Sequence, residues 1–297
     1  RSQNVQPPDS GRKFGEWYIV HLPERMKELP PRDILTSWQF PAKLIHQLLH
    51  THGVRKQHDR LSIRLFPKEV PEFVAQWVDL NILYEDEFTL IVNKPAGCEI
   101  YPGQEGQTDT LANYVAAYFA SSGQACRIRH IHRLDKDTTG PVLYAKNQLA
   151  HHHFDRDMRE KKIERIYVAV AEGVITTNRG TIRRTLGKDR HHPARRRVSS
   201  SGAPAVTHYE VIERFAEHTL VRLRLETGRT HQIRVHLSSI GHPLVGDSMY
   251  GGQRKWIHRQ ALHGEQLYWN HPWNGKRMNG KAPLPEDMQQ LLAALRE

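Results

Sequence analysis

Residues 132–140, His-Arg-Leu-Asp-Lys-Asp-Thr-Thr-Gly, set one carboxylate, Asp135, directly behind a His-Arg pair and ahead of two hydroxyl residues and a glycine. The preceding run, Arg127-Ile128-Arg129-His130-Ile131, alternates as a strand does, while Thr138-Thr139-Gly140 reads as a turn. Asp135 is therefore expected at a bend, flanked by cationic side chains. An acid in a basic loop is most often a surface salt bridge. A second segment argues for more: Glu226-Thr227-Gly228-Arg229-Thr230-His231-Gln232-Ile233-Arg234-Val235-His236, followed by Gly246-Asp247 and Tyr250-Gly251. Asp137 is the one local rival to Asp135.

Together these segments resemble the RluA-type pseudouridine synthases, which isomerise uridine to pseudouridine in structured RNA. Three further matches fall in the family's order: Asn93-Lys94-Pro95-Ala96-Gly97, Glu164-Arg165-Ile166-Tyr167-Val168-Ala169 and Ala261-Leu262-His263. An ordered set of this kind over most of the chain is far more specific than any single short motif. The resemblance implies an α+β pseudouridine synthase fold, a large mixed, bisected β-sheet flanked by helices, with a small N-terminal appendage.

The chemistry detaches uracil from ribose, turns it and rejoins it through carbon 5. It needs one ionised carboxylate beside a base drawn out of its stack, and no cofactor or metal. The resemblance makes Asp135 that carboxylate and Arg234 the cation beside it. It gives Tyr167 as the aromatic stacked on the uracil and Arg133 as the residue that helps hold the flipped nucleotide. A buried carboxylate kept ionised wants such a cation, since burial alone favours its neutral form, so Arg234→Ala is expected to cost much more than Arg234→Lys. Three departures stand out: Thr139 where Ser is more usual, Tyr101 where His is common, and Pro141 after the motif's glycine, which should stiffen the turn.

Charge points the same way. Lys and Arg number 43 against 32 Asp and Glu, a formal net charge of +11, as suits a polyanionic partner. Arg183, Arg184, Arg190, Arg195, Arg196 and Arg197 crowd one stretch, which is expected to form a loop that clamps RNA phosphates. The His151-His152-His153 run is not a metal site, because successive helical residues point about 100° apart and cannot converge on one ion. The two cysteines, Cys98 and Cys126, suggest neither a disulfide framework nor a zinc cluster. No apolar run is long enough to span a membrane, and no secretory leader pattern occurs. A cytoplasmic monomer acting on ribosomal or transfer RNA is expected. Two other classes remain open: an RNA-binding protein on the same fold without catalysis, and a metal-dependent hydrolase built on the His-rich segments.

Along the chain, residues 1–13 read as a flexible lead, and the start at Arg1 rather than Met suggests a trimmed terminus. Residues 14–78 read as a small unit with a helix over 41–50 and a strand over 61–67. It resembles the αL RNA-binding domain, although apolar and His residues dilute the usual basic helices; it either grips RNA or packs on the main domain. Residues 79–297 form the catalytic domain. Strands are expected over 88–93, 165–172 and 219–225. Helices are expected over 110–119 with Asp109 as N-cap, 147–162, 230–240 and 285–295.

Overall fold

The computed structural model describes residues 5–9 and 11–297. The first unit comprises β1 (Arg12–Phe14), β2 (Trp17–His21), α1 (Pro31–Ser37), α2 (Ala42–His50), β3 (Val54–Gln57) and β4 (Arg60–Ile63). Its strands form an antiparallel sheet in the order β1-β2-β4-β3. Part of the expected flexible lead is packed: the Val5 amide donates to the Ser37 carbonyl at 3.2 Å, the Trp273 indole donates to the Pro8 carbonyl at 2.8 Å, and β1 pairs with β2. The rest of that lead, residues 1–4 and 10, lies outside the described residues.

The remainder of the chain carries β5 (Asn81–Glu85), β6 (Thr89–Lys94), α3 (Leu111–Ser121), β7 (Gly140–Ala145), α4 (Gln148–Arg159) and β8 (Glu164–Glu172). There follow β9 (Arg179–Arg183), β10 (Leu186–Lys188), β11 (Arg196–Val198), β12 (Val206–Arg214), β13 (His218–Leu225) and α5 (Gln232–Ser239). β14 (Leu262–Asn270), β15 (Arg277–Lys281) and α6 (Glu286–Arg296) complete the chain. One half-sheet runs β5-β6-β7 and the other β15-β14-β8-β13-β12-β9, each antiparallel within itself. They meet where Thr139 forms a parallel bridge with His263 and the Gly264 amide donates to the Thr139 carbonyl at 2.7 Å. The fold is α+β, and its sheet is bisected at this seam.

Two glycines make the seam possible. Gly140 holds φ +134°, and a Cβ on it would lie 2.6 Å from the Gly264 Cα, so the two backbones can approach only without a side chain. Pro141 occupies the next position of β7, opposite Asn93, and so stiffens the strand's start rather than the turn.

Strand alternation explains the layers. In β7, Leu143 and Ala145 enter one core with Tyr18, Leu61, Ile63 and Trp273, while Val142 and Tyr144 enter another with Leu111, Val115 and Phe119 of α3. In β8, Tyr167, Ala169 and Ala171 join the α3 core, whereas Val168 and Val170 pack on Met288, Leu291 and Leu292 of α6. The first core is continuous from the N-terminal unit into the catalytic sheet, with Tyr18 and Trp273 in edge contact at 4.7 Å between ring centroids.

Several boundaries differ from expectation. Residues 127–131 form no strand, only an isolated bridge between His130 and Tyr144, and the chain bends from Ile131 onward toward Asp135. The turn is centred on Lys136-Asp137, the Thr138 amide donating to the Asp135 carbonyl at 3.0 Å, while Thr139 and Gly140 already belong to the seam. The cap of α3 is Thr110, in a capping box with Asn113, and Asp109 sits in the left-handed region at φ 63°. From Leu186 onward the basic stretch is a hairpin of β10 and β11 rather than a plain loop, while Arg183 ends β9.

Candidate active site

Asp135 lies between the His130 bridge and the seam, and its loop is tethered on both sides. Lys94, wholly buried at the end of β6, donates to the carbonyls of Pro95, Cys98 and Lys136 at 2.7–2.9 Å. Burial pushes its ammonium down to about 8. From the other side Arg259 donates to the Asp137 carbonyl at 2.9 Å and forms a two-pronged ion pair with Asp287. Beneath the loop, buried His132 accepts the Leu143 amide on Nε2 at 3.1 Å, which requires a neutral ring, and burial pushes its pKa down to about 3.

Arg234 projects from α5, and its guanidinium spans two carboxylates. Nη1 meets Asp135 Oδ2 at 3.1 Å, while Nε and Nη2 meet Asp247 Oδ2 and Oδ1 at 2.7 and 3.0 Å. Arg234 and Asp247 are 6% and 2% exposed. Burial opposes the charge of Arg234, but Asp247 and then Asp135 more than offset it, so its pKa is raised. The fork on Asp247 fixes the guanidinium plane and leaves one edge for Asp135. Tyr250 covers that plane, its ring centroid 5.0 Å from the guanidinium carbon. The Tyr250 hydroxyl accepts from the Arg196 amide at 2.8 Å and bonds His231 Nδ1 at 2.6 Å. His231 holds φ +57°, a conformation that L side chains seldom adopt, and this carries its Nε2 to 4.0 Å from Asp135.

Gln232 and His236 of the Gly228–His236 block are scaffolding. Gln232 receives the Arg229 amide and the Thr227 hydroxyl on its oxygen, and donates to Val206 and Thr207 with its nitrogen. His236 bridges the Thr207 hydroxyl and the Arg184 carbonyl.

Asp135, Tyr167, Arg133 and Arg234 line one open cleft. Tyr167 is 5% exposed, and burial raises the pKa of its hydroxyl. Arg133 is exposed and donates to the Thr230 hydroxyl at 2.5 Å. Asp137 does not line this cleft. Of the basic stretch, Arg183, Arg184, Arg190, Arg195 and Arg197 are exposed. Arg195 faces Asp189 at 3.7 Å, Arg184 is engaged with the Ser239 carbonyl at 2.7 Å, and Arg196 is partly covered and bonds its own hairpin.

Sequence reasoning assigned no role to Asp247, Tyr250, His231, Lys94 or Arg259. The first two lie in the Gly-Asp-x-x-Tyr-Gly block and the next two in other matched blocks, so only their roles were invisible. Arg259, two residues before Ala261-Leu262-His263, lies outside every matched block. No group of three or more His, Cys, Asp or Glu able to hold a metal occurs among the described residues. Nor is any described helix long and apolar enough to cross a membrane.

A family model described as RNA pseudouridylate synthase matches residues 88–239. An uncharacterized RNA pseudouridine synthase of Bacillus subtilis is 43% identical over 284 residues, covering 94% of this chain and 93% of its own. A ribosomal large subunit pseudouridine synthase D of Pseudomonas aeruginosa is 42% identical over 240 residues, 76% of this chain and 75% of that protein. Among solved structures, human RNA pseudouridylate synthase domain containing 1 superposes with a TM-score of 0.57 at 28% identity, covering 73% of this chain and 95% of that one. The matched segment holds Asp135, Tyr167 and Arg234 within one cleft, and the chain belongs to the RNA pseudouridine synthases of the RluA type, isomerases that convert uridine to pseudouridine in RNA.

Proposed function

We propose that this enzyme isomerises a uridine of large-subunit ribosomal RNA, with Asp135 as its catalytic carboxylate. The observation that carries the assignment is the Arg234 bridge: a buried guanidinium locked by Asp247 offers its remaining edge to Asp135 alone. That arrangement sets a fixed cation beside the Asp135 carboxylate at the wall of the cleft where a flipped base would sit. Tyr167, on the cleft wall, is the stacking surface for uracil. Arg133, at the exposed rim, holds the nucleotide drawn out of the helix. His231 and Tyr250 act through Arg234 and Asp135 as positioning residues.

The β10–β11 hairpin grips phosphates: its exposed Arg190, Arg195 and Arg197, with Arg183 and Arg184 at and just beyond the end of β9, supply salt-sensitive affinity. Arg196 contributes mainly through its backbone, which holds Tyr250. Residues 14–78 are a small unit packed on the catalytic domain of residues 79–297, a reading supported by the core they share. The protein works as a cytoplasmic monomer, since one chain supplies every group the reading needs.

Ribosomal RNA is favoured by the name of the Pseudomonas aeruginosa relative. The test is to map pseudouridines in ribosomal and transfer RNA from cells with and without the gene, then restore it. A ribosomal position lost and regained supports the proposal. A position confined to transfer RNA would refute this choice of substrate.

A further inference from the structure

The cleft around Asp135 continues outward. A shallow groove shares Arg133, Arg165, Gly228 and Arg229 with the cleft wall and runs on past Arg159 and Lys161, at and just beyond the end of α4. Arg133, Arg159, Lys161 and Arg229 are exposed, and Glu226 is the single carboxylate along the groove, paired with His208 and Lys161. Such a strip attracts a phosphate backbone leaving the catalytic cleft.

The groove also holds a stacked aromatic pair. Tyr101 lies over His130 with ring centroids 5.1 Å apart and planes 20° from parallel. The backbone of His130 is fixed by its bridge to Tyr144 of β7. Burial lowers the imidazole pKa, so it stacks as a neutral ring. Tyr101 itself is 40% exposed and lines the groove. An exposed ring backed by a second ring, beside a row of cations, is the arrangement by which proteins bind unstacked bases of a single strand.

We propose that the Tyr101–His130 pair is a stacking platform for a nucleobase flanking the isomerised uridine, with Arg159 and Lys161 on the phosphates leading away. The substrate presented here is an unpaired RNA strand, such as a loop, rather than a continuous duplex. This rests on the reading of the Asp135 cleft as the uridine site.

The test separates binding from chemistry by working in the Asp135→Asn protein. The probe is an 11-nucleotide single-stranded RNA with one central uridine, prepared with an abasic ribose at each of the three positions on either side in turn. Removing the base at one of these positions should weaken binding roughly tenfold or more. Adding Tyr101→Leu should abolish that position's contribution, whereas Tyr101→Phe, which keeps the ring, should preserve it. No position with such an effect, or an undiminished effect in the Leu variant, would overturn the platform. Pseudouridine formation in total RNA by the unaltered enzyme is scored separately. Its absence would sink the reading of the cleft itself. Its presence alongside unchanged discrimination in the Leu variant would sink the platform alone.

Discussion

Replacing Arg234 should expose two separable functions, one in stability and one in catalysis. Arg234→Ala strands Asp247, which is 2% exposed and has both oxygens bonded to the lost guanidinium. Breaking a buried pair by removing one partner costs about 3–5 kcal/mol, against a total stability of about 5–15 kcal/mol for a typical protein. Arg234→Lys fares better in stability but poorly in catalysis, because a single ammonium cannot serve a fork on Asp247 and Asp135 together. The gap in activity between the two substitutions is thus narrower than the need for a cation alone implies. The decisive comparison adds Arg234→Met to Asp247→Leu. With both charges gone and apolar volume in their place, stability should return to within about 2 kcal/mol of the parent. Turnover should stay lost, because Asp135 then faces no cation. Urea unfolding followed by tryptophan fluorescence and single-turnover pseudouridine formation read the two effects. An Arg234→Ala protein as stable as the parent would rule out the buried pair as a source of stability, and a double variant that regains turnover would rule out the need for a cation beside Asp135.

Replacing Arg195, Arg196 and Arg197 together by Gln should weaken RNA binding and lower the slope of log affinity against log salt by roughly 0.7–0.9 per lost phosphate contact. The Arg196 amide still holds Tyr250, so single-turnover rates at saturating enzyme should change little; an unchanged slope would mark the hairpin as merely solvated, and a collapsed rate with intact binding would place its side chains over the cleft. Burial holds the His132 pKa near 3 in the fold against about 6.5 when unfolded, so the unfolded state binds more protons between these values. Stability should therefore fall by up to about 1.4 kcal/mol per pH unit below about 6.5 on account of this residue, and His132→Gln should flatten that limb of a urea-midpoint profile. Equal slopes in both proteins would contradict this. Dialysis against a strong chelator should leave activity intact, and loss restored by added zinc would contradict the metal-free reading.

The site was legible in sequence to the extent that single residue types carry it. Asp135, Arg234, Tyr167 and Arg133 fall in short ordered blocks, and all four line one cleft. Partnerships between distant residues were not legible. Nothing in a Gly-Asp pair says that Asp247 will lock Arg234, and nothing in Lys94 says that its ammonium will tie down the carbonyl of Lys136. Strands with clear alternation, such as β13, and helices with clear signals, such as α4 capped by Asn147, follow from local pattern. The run over 127–131 failed because its alternation serves one bridge to β7 rather than a ladder. Asp109 failed as a cap because Thr110 and Asn113 form the better hydrogen-bonded pair. The basic stretch hid a hairpin because its pairing rests on backbone register, which side-chain charge does not encode.

Everything proposed for the cleft turns on the carboxylate of Asp135 performing the isomerisation. Asp135→Asn keeps the side chain's shape and removes its charge, so the direct measurement is single-turnover pseudouridine formation on a responsive RNA, paired with binding of that RNA. The Asn variant should bind within a few-fold of the parent and give no detectable product. Measurable turnover by the Asn variant would contradict this.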